Sequence, residues 1–324
     1  MKVAINIDKA QVADFYRKML LIRRFEEASG RLYMQGLIRG FLHLYIGEEA
    51  VAVGAISLLE PQDYVITHYR DHGHALARGM DPKACMAELC GRATGSSGGK
   101  GGSMHLFDAN LHFMGGHAIV GGQMPIGVGM ALGIKMKKQN GVVMVFFGDG
   151  AVNEGEFHES LNLASLWKLP VVFMLENNLY GMGSHVDMTH AAGRDIYNSA
   201  EYYKIPATQV DGMDLIAVRE ATSFAIDRVR AGNGPVFLEA MTYRYRGHSM
   251  ADPVNYREMD EVEEWRINDP IDRFKTLAIG EGLITAGELE EIDSQVADEI
   301  DEVVRFARES PFPELDDLYK HVYA

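Results

Sequence analysis

A carboxylate and an amide each follow an apolar segment of the chain. Asp149 lies in a Gly-Asp-Gly sequence directly after the run 142–147, and Asn178 follows the run 171–175. Such runs, rich in β-branched residues and without polar alternation, are typical of strands buried on both faces of a parallel sheet. Ligands of an open parallel sheet bind beyond the carboxyl ends of its strands, so the two side chains are expected in one crevice.

The residue types at these two positions suit a metal ion that holds a phosphorylated ligand. A carboxylate, an amide oxygen and a backbone carbonyl form an oxygen set that suits Mg²⁺ or Ca²⁺. Gly148 and Gly150 allow the backbone to approach closely and leave N–H groups for phosphate oxygens. A Gly-Asp-Gly sequence alone more often forms only a tight turn. The metal–diphosphate interpretation therefore depends on Asn178, which lies 29 residues after Asp149 (178 − 149), about one strand–helix–strand unit.

The elements around these residues predict an α/β fold. Residues 155–169 have helical length and spacing and connect the two buried runs, which makes a βαβ unit. A second such unit is expected to end at 235–241, and 63–67 has the pattern of a short strand. The expected architecture is a parallel sheet flanked by helices, in one domain that spans residues 1–324.

Helical segments are predicted at both ends of this domain. Apolar residues recur at helical spacing over 9–33, which predicts an N-terminal helical arm within residues 1–40. Thr285 and Glu288 form a capping-box pattern before a periodic apolar face over 289–307. This pattern predicts a C-terminal helical segment within 260–324.

The glycine-rich segment 91–105 permits two interpretations. Its composition is typical of a flexible linker between domains. No change of composition separates the residues on its two sides, however, which favours an ordered segment within one domain.

Composition excludes several classes of protein. The chain has 324 residues, and 46 acidic against 31 basic side chains give a formal net charge of −15. This charge argues against a general binder of nucleic acid or of acidic membranes. Two cysteines provide neither a disulfide framework nor a zinc pattern. The apolar runs are far shorter than the roughly 20 residues of a membrane span, and the N-terminus resembles neither a signal nor a transit peptide. We expect a cytoplasmic location in a bacterium.

A resemblance to a known enzyme family rests on the segments GDGAVNEG and LENNLYGMG, which look like the thiamine diphosphate signature. Other segments, from MLLIRRFEEASGRLY to YRYRGHSMADP, resemble the α subunits of the decarboxylating 2-oxo acid dehydrogenases in the same order. The likeness covers nearly the whole chain. It implies the thiamine diphosphate-binding fold, with thiamine diphosphate and Mg²⁺ as cofactors.

The same resemblance implies a reaction and its partners. The expected reaction is the oxidative decarboxylation of a 2-oxo acid with reductive acylation of a lipoyl group on a separate acyltransferase. Pyruvate is the favoured substrate, acetoin is the nearest alternative, and branched-chain 2-oxo acids follow. A β subunit would complete the active site in an α₂β₂ heterotetramer. An inactive scaffolding subunit is a further alternative, which the intact motif residues disfavour.

Roles for individual residues follow from the resemblance. The metal ligands would be Asp149, Asn178 and the carbonyl of Tyr180. The N–H groups of Gly150 and Ala151 would lie near the diphosphate. The other cofactor-binding residues would be Arg70 and His248 at the diphosphate, Tyr69 beside it, Met182 beneath the two rings, and Ile119 and Val120 at the pyrimidine. The family commonly has glycine at the position of Ala118.

The histidines permit two assignments. By resemblance, His43, His72 and His248 are the catalytic candidates that would face the substrate and orient it or move protons. Alternatively, His68, His72 and His74 would form the zinc site of a hydrolase, which requires three converging ligands and an open position.

Overall fold

The computed structural model describes residues 7–320, and its centre is a six-stranded sheet. The strands within residues 7–320 are β1 (Tyr64–His68), β2 (Phe113–His117), β3 (Val143–Gly148), β4 (Val171–Asn177), β5 (Tyr180–Gly181), β6 (Ser184–His185), β7 (Ala207–Asp211) and β8 (Val236–Met241). The sheet has the order β2-β1-β3-β4-β8-β7, and all its pairs are parallel. β5 and β6 form a separate antiparallel pair.

Helices flank this sheet, as the sequence predicted. They are α1 (Lys9–Met34), α2 (Glu49–Ile56), α3 (His72–Arg78), α4 (Pro82–Leu89), α5 (Gln123–Met136), α6 (Gly155–Leu166), α7 (Val186–Thr189), α8 (Leu215–Arg230), α9 (Met259–Arg266), α10 (Pro270–Gly280) and α11 (Ala286–Glu309). Short 3₁₀ helices cover Asp149–Asn153, Ile196–Tyr203 and Leu315–Tyr319. α5 packs on β3 and α6, while α8 packs on β7, β8 and α2. The α/β class with a parallel sheet is confirmed.

The central strands match the apolar runs because they are covered on both faces. Every residue of β4 is buried, and β3 pairs with it from Val143 opposite Val171 to Gly148 opposite Glu176. Sequence reasoning missed β2 and β7, which are the two edge strands. β2 contains two consecutive glycines, and β7 is polar and largely exposed, so neither has the continuous apolar pattern.

The glycine-rich segment is an ordered loop. The buried carboxylate of Glu88 accepts backbone N–H bonds from Ser97, Gly99, Gly101 and Gly102, at 2.7 to 3.1 Å. A loop bonded in this way to one buried anion is not a flexible linker, so that interpretation is wrong.

The two terminal helices pack against each other. α1 lies along α11, and the Tyr16 hydroxyl donates to Asp293 across their contact at 2.7 Å. Thr285 and Glu288 form the expected capping box at the start of α11. The predicted arm (1–40) and C-terminal segment (260–324) also include residues 1–6 and 321–324, which lie outside the described part. Between residues 7 and 320, no helix has both the length and the apolar character that a bilayer crossing needs.

Candidate active site

A cavity of about 940 Å³ opens at the carboxyl ends of β1, β3 and β4. Its position agrees with the expected ligand site of an open parallel sheet. The predicted site residues that line it are His43, Tyr69, Arg70, Val120, Asp149, Gly150, Ala151, Asn178, Tyr180, Met182 and His248. Two segments 29 residues apart thus meet in one crevice.

Asp149 presents an unsatisfied carboxylate to this cavity. It begins a 3₁₀ helix directly after β3 and is only 3% exposed. Its Oδ2 is buried and has no hydrogen-bond partner among the described residues. Burial raises the pKa of Asp149 to about 6, although the charge of Arg244 opposes the shift. A buried carboxylate oxygen without a donor is suited to a cation.

Asn178 and Tyr180, which line the same cavity as Asp149, supply two more oxygens. The Asn178 amide donates from Nδ2 to Glu48 Oε1 at 3.1 Å, and its Oδ1 accepts the Tyr180 N–H at 3.3 Å and keeps a second lone pair. The carbonyl of Tyr180 accepts from Arg244 Nη1 at 3.2 Å and, with two lone pairs, keeps capacity for a second partner. Together with Asp149, these groups form a hard oxygen set that fits a small divalent cation.

Arg70 brings a buried positive charge to the cavity wall. It is 3% exposed, and its guanidinium donates to the carbonyls of Leu44 at 2.9 Å and His248 at 3.0 Å. Its nearest carboxylate is Glu48, at 3.7 Å from Nε. A guanidinium has five N–H donors, so several remain for an anionic ligand.

Three aromatic rings cluster at one side of the cavity. The His43 ring lies 4.6 Å from Tyr69 and 5.0 Å from His248, measured between centroids. Burial lowers the pKa of His43 to about 2 and that of His248 to about 3, and the charge of Arg70 adds to both shifts. Both imidazoles are therefore neutral near pH 7. Their Nδ1 atoms have no partner among the described residues.

Met182 occupies the turn between β5 and β6. Its φ is +55°, in the left-handed region that a methionine rarely adopts, and its side chain is 66% exposed. Arg244 Nη2 donates to its carbonyl at 3.1 Å and holds this turn. The strained turn presents an apolar side chain to the cavity instead of packing it in the core.

Two predicted residues do not line the cavity. His72 is fully buried: Nδ1 contacts Glu26 Oε2 at 2.8 Å, and Nε2 contacts Ser103 Oγ at 2.9 Å. The expectation that His72 faces the substrate is therefore wrong, because both ring nitrogens are used inside the protein. Ile119 lies next to the lining residue Val120, but its side chain is 74% exposed and faces solvent.

The three histidines of the zinc alternative do not converge. His72 bonds to Glu26, whereas His68 and His74 both bond to Glu176 through Nε2. The potential metal-ligand atoms of His68, His74 and Glu176 lie within 4.8 Å of one another. However, His68 Nδ1 accepts the Arg70 backbone N–H at 3.1 Å, so the Nε2 of the neutral ring carries the proton and has no lone pair for a metal.

Comparison with known proteins identifies the family. The family model described as "Dehydrogenase E1 component" matches residues 17–316. The chain belongs to this family. Family membership confirms the predicted class of oxidoreductase and implies thiamine diphosphate as the cofactor.

Similar proteins cover nearly the same length. The "Pyruvate dehydrogenase E1 component subunit alpha" of Zymomonas mobilis is 48% identical over 319 residues, covering 98% of this chain and 90% of that protein. The protein of the same name from Rhizobium meliloti is 49% identical over 308 residues, covering 95% and 88%. A testis-specific mitochondrial form from Homo sapiens is 45% identical over 324 residues, covering 99% and 82%. These names agree with the predicted pyruvate branch rather than with the acetoin alternative.

In this E1 component, sequence reasoning missed three buried charges beside the cavity. Arg244 bonds the carbonyls of Tyr180 and Met182, Glu48 orients Asn178, and Glu176 holds two histidines. Arg244 had a signal, since it lies in the segment YRYRGHSMADP, but its contacts could not be read from that segment. Glu176 had the same kind of signal, since it lies in the segment LENNLYGMG, whereas Glu48 borders an apolar run, where a single carboxylate has no periodic signature.

Proposed function

We propose that this chain binds thiamine diphosphate with Mg²⁺ in the cavity and acts as the α subunit of an enzyme that oxidatively decarboxylates pyruvate. The observation that carries the proposal is the buried, unpartnered Oδ2 of Asp149 at the end of β3. Family membership and the pyruvate dehydrogenase names of the relatives support the reaction and the substrate.

The metal would be held by Asp149, Asn178 and the carbonyl of Tyr180. This assignment is supported by the chemistry of the three oxygens and by the hydrogen bond from Asn178 to Glu48, which holds the amide with its Oδ1 pointing away from Glu48. Mg²⁺ commonly keeps few protein ligands and completes its coordination with water and phosphate oxygens. Binding would neutralise the charge of Asp149.

The diphosphate would contact Arg70, His248 and the N–H groups of Gly150 and Ala151. Gly150 leaves space at this point, since an added Cβ would meet only Gly181 Cα at 3.5 Å. The remaining donors of the Arg70 guanidinium suit phosphate oxygens. A neutral imidazole offers one N–H donor, which is the role expected of His248.

When bound, thiamine diphosphate supplies the carbanion that attacks the ketone carbon of the 2-oxo acid. The chain supplies binding and orientation. Met182 and Val120 would support the cofactor rings, with Ile119 contributing its backbone and Tyr69 lying beside the diphosphate. His43 and His248 would orient the substrate as neutral hydrogen-bond partners, which their lowered pKa values support.

A β subunit would complete the site in an α₂β₂ assembly, and a lipoyl-bearing acyltransferase would accept the acyl group. The α-subunit names of the relatives imply a partner subunit. Apolar side chains near the cavity support a covering partner: Phe41 is 63% exposed, Ile119 74% and Met182 66%. A cytoplasmic location is part of this proposal.

The test uses this chain co-expressed with its partner subunit. Retention of thiamine diphosphate is measured by equilibrium dialysis with Mg²⁺ and with a chelator. Dye reduction is then measured with pyruvate, acetoin and 3-methyl-2-oxobutanoate in parallel. We expect Mg²⁺-dependent binding and reduction with pyruvate. Cofactor binding that is equally tight with and without Mg²⁺ would contradict the proposed metal site. Dye reduction with acetoin but not with pyruvate would contradict the proposed substrate.

A further inference from the structure

Behind the cavity, the carboxylate of Glu176 lies at the centre of a buried hydrogen-bond network. Glu176 is 1% exposed, and its oxygens accept bonds from the Tyr45 hydroxyl, from His68 Nε2 at 2.7 Å and from His74 Nε2 at 3.0 Å. Of these four residues, His68 alone is among those that line the cavity. A buried carboxylate with three donors is held in one orientation and fixes its donors in turn.

Glu176 determines which nitrogen of His68 carries the proton. His68 Nδ1 accepts the backbone N–H of Arg70 at 3.1 Å. A neutral imidazole has one donor and one acceptor nitrogen, so Nε2–H is the donor to Glu176. The carboxylate thus stabilises the tautomer that can hold Arg70.

A second connection reaches the side chain of Arg70. Its Nη1 donates to the carbonyl of Leu44 at 2.9 Å, and Leu44 precedes Tyr45 in the chain. The Tyr45 ring lies so close to Gly73 that an added Cβ there would be 2.2 Å from Cδ1. With its ring packed and its hydroxyl bonded to Glu176, Tyr45 holds the Leu44 carbonyl in place.

We propose that Glu176 is a positioning residue that acts through His68 and Tyr45 to hold Arg70 in the orientation that binds the cofactor diphosphate. The inference rests on the proposed function, because it takes Arg70 as a diphosphate ligand. A carboxylate that served the fold alone would affect stability and leave the affinity for the diphosphate unchanged. A positioning carboxylate affects the affinity beyond any loss of stability.

The experiment compares Glu176→Met with Glu88→Gln in the enzyme assembled with its partner subunit. Glu88 is a matched control, because its carboxylate is equally buried and accepts four backbone N–H bonds, but none of its four donors lines the cavity, whereas His68 does. The Kd of thiamine diphosphate at saturating Mg²⁺ is measured by equilibrium dialysis, and the Tm is measured without ligand.

Glu176→Met should raise the Kd about tenfold or more, the scale seen when residues that orient a ligand-binding group are removed. Glu88→Gln should lower the Tm but leave the Kd within about twofold of the wild type, as distant sites do. At saturating cofactor, kcat of Glu176→Met should fall less than the affinity does.

The conservative variant Glu176→Gln should restore most of the affinity. Its amide oxygen can still accept from His68, while its NH₂ group faces Tyr45 and His74. The His74 ring can then take the Nδ1–H tautomer and donate to Thr67 Oγ1, at 3.4 Å. We expect a Kd within about threefold of the wild type, because one weaker neutral bond replaces a charged one.

Tyr45→Phe keeps the test decisive if Glu176→Met fails to fold. It removes one hydroxyl, keeps the packed ring, and should raise the Kd about threefold. If Glu176→Met folds and its Kd is within twofold of the wild type, the inference is wrong. If it does not fold, the same result for Tyr45→Phe would overturn the inference. A wild-type enzyme without Mg²⁺-dependent binding would instead overturn the proposed function, so the two failures are distinct.

Discussion

Asp149 and Glu176 are two buried carboxylates at the carboxyl ends of adjacent strands. Gly148, which precedes Asp149, pairs directly with Glu176 in the register of β3 and β4. Their exposed fractions are similar, 3% and 1%. Their pKa values move in opposite directions. Burial raises the pKa of Asp149 to about 6, whereas in Glu176 the effect of burial is outweighed by hydrogen bonds from His74 and His68, which hold its pKa below the ordinary value.

The difference between them lies in their donors. Glu176 has three, so its charge is satisfied within the protein and its position is fixed. Asp149 has one oxygen without any donor among the described residues, so under the proposed function a bound cation would compensate its charge. Burial alone therefore does not distinguish a supporting acid from a ligand-binding acid. Asp149 differs in having an oxygen without a donor and in lining the cavity, whereas Glu176 has neither feature.

The largest expected effect comes from removing the unsatisfied acid. Asp149→Ala should lower the activity of the assembled enzyme about a thousandfold and abolish Mg²⁺-dependent cofactor retention, because the metal loses its charged ligand. The matched control is Asp63→Asn, a fully buried aspartate at the opposite end of the sheet that bonds Val142 and Arg230. Dye reduction and dialysis check both variants. Equal losses in the two would mean that Asp149 supports only the fold.

Stability without ligand should change in opposite directions at the two acids. Asp149→Asn removes a poorly compensated buried charge and should raise the free energy of unfolding by about 1 kcal/mol. Glu176→Met leaves a hydroxyl and two imidazole N–H groups without an acceptor and should lower it by about 3 kcal/mol. The Tm of the metal-free enzyme checks the signs. A shift of the same sign in both variants would remove the contrast between the two acids.

Asp71 is intermediate between Asp149 and Glu176, and its effect on stability can be tested by changing the pH. Its Oδ2 accepts the Leu106 N–H at 3.0 Å, whereas its Oδ1 has no hydrogen-bond partner among the described residues and lies 4.0 Å from His72 Nε2. Burial raises its pKa to about 7, so the folded state keeps a proton that the unfolded chain releases near pH 4.

The tighter binding of this proton stabilises the folded state fully below pH 4. The stabilisation is lost as the pH rises through 7. Asp71→Asn has no such dependence, so its stability relative to the wild type should increase by about 2 kcal/mol between pH 5 and 7. Paired Tm measurements across this range check the sign. A constant difference would show that Asp71 titrates as an ordinary aspartate.

At the exposed part of the cavity, we expect a smaller loss of activity than at Asp149. Met182→Ala should lower kcat about tenfold, because an apolar support of the cofactor rings is lost. The Tm should hardly change, since the side chain is 66% exposed. Met188→Ala is the control, as Met188 is 84% exposed and lies outside the cavity lining. If both variants keep full activity, Met182 does not support the cofactor.

Local patterns in the chain were sufficient to predict the elements that carry the site. The apolar runs before Asp149 and Asn178, and the capping box at Thr285, depend on neighbours a few residues away, and the structure contains each of them. The two edge strands escaped prediction because β2 contains two consecutive glycines and β7 is polar and largely exposed, so neither has a continuous apolar run.

The sequence by itself was sufficient to predict the ends of the central strands and the family. Only the tertiary structure decided that His72 faces Glu26, that the glycine-rich loop closes on Glu88, and that Glu176 holds His68 and Tyr45. The physical reason is the separation along the chain between the residues that make contact. Strand and cap patterns arise from contacts between near neighbours in the chain, whereas Tyr45 and Glu176 are 131 residues apart. Which donors reach a buried carboxylate is decided when distant segments pack, and that in turn decides whether the carboxylate binds a ligand or supports one.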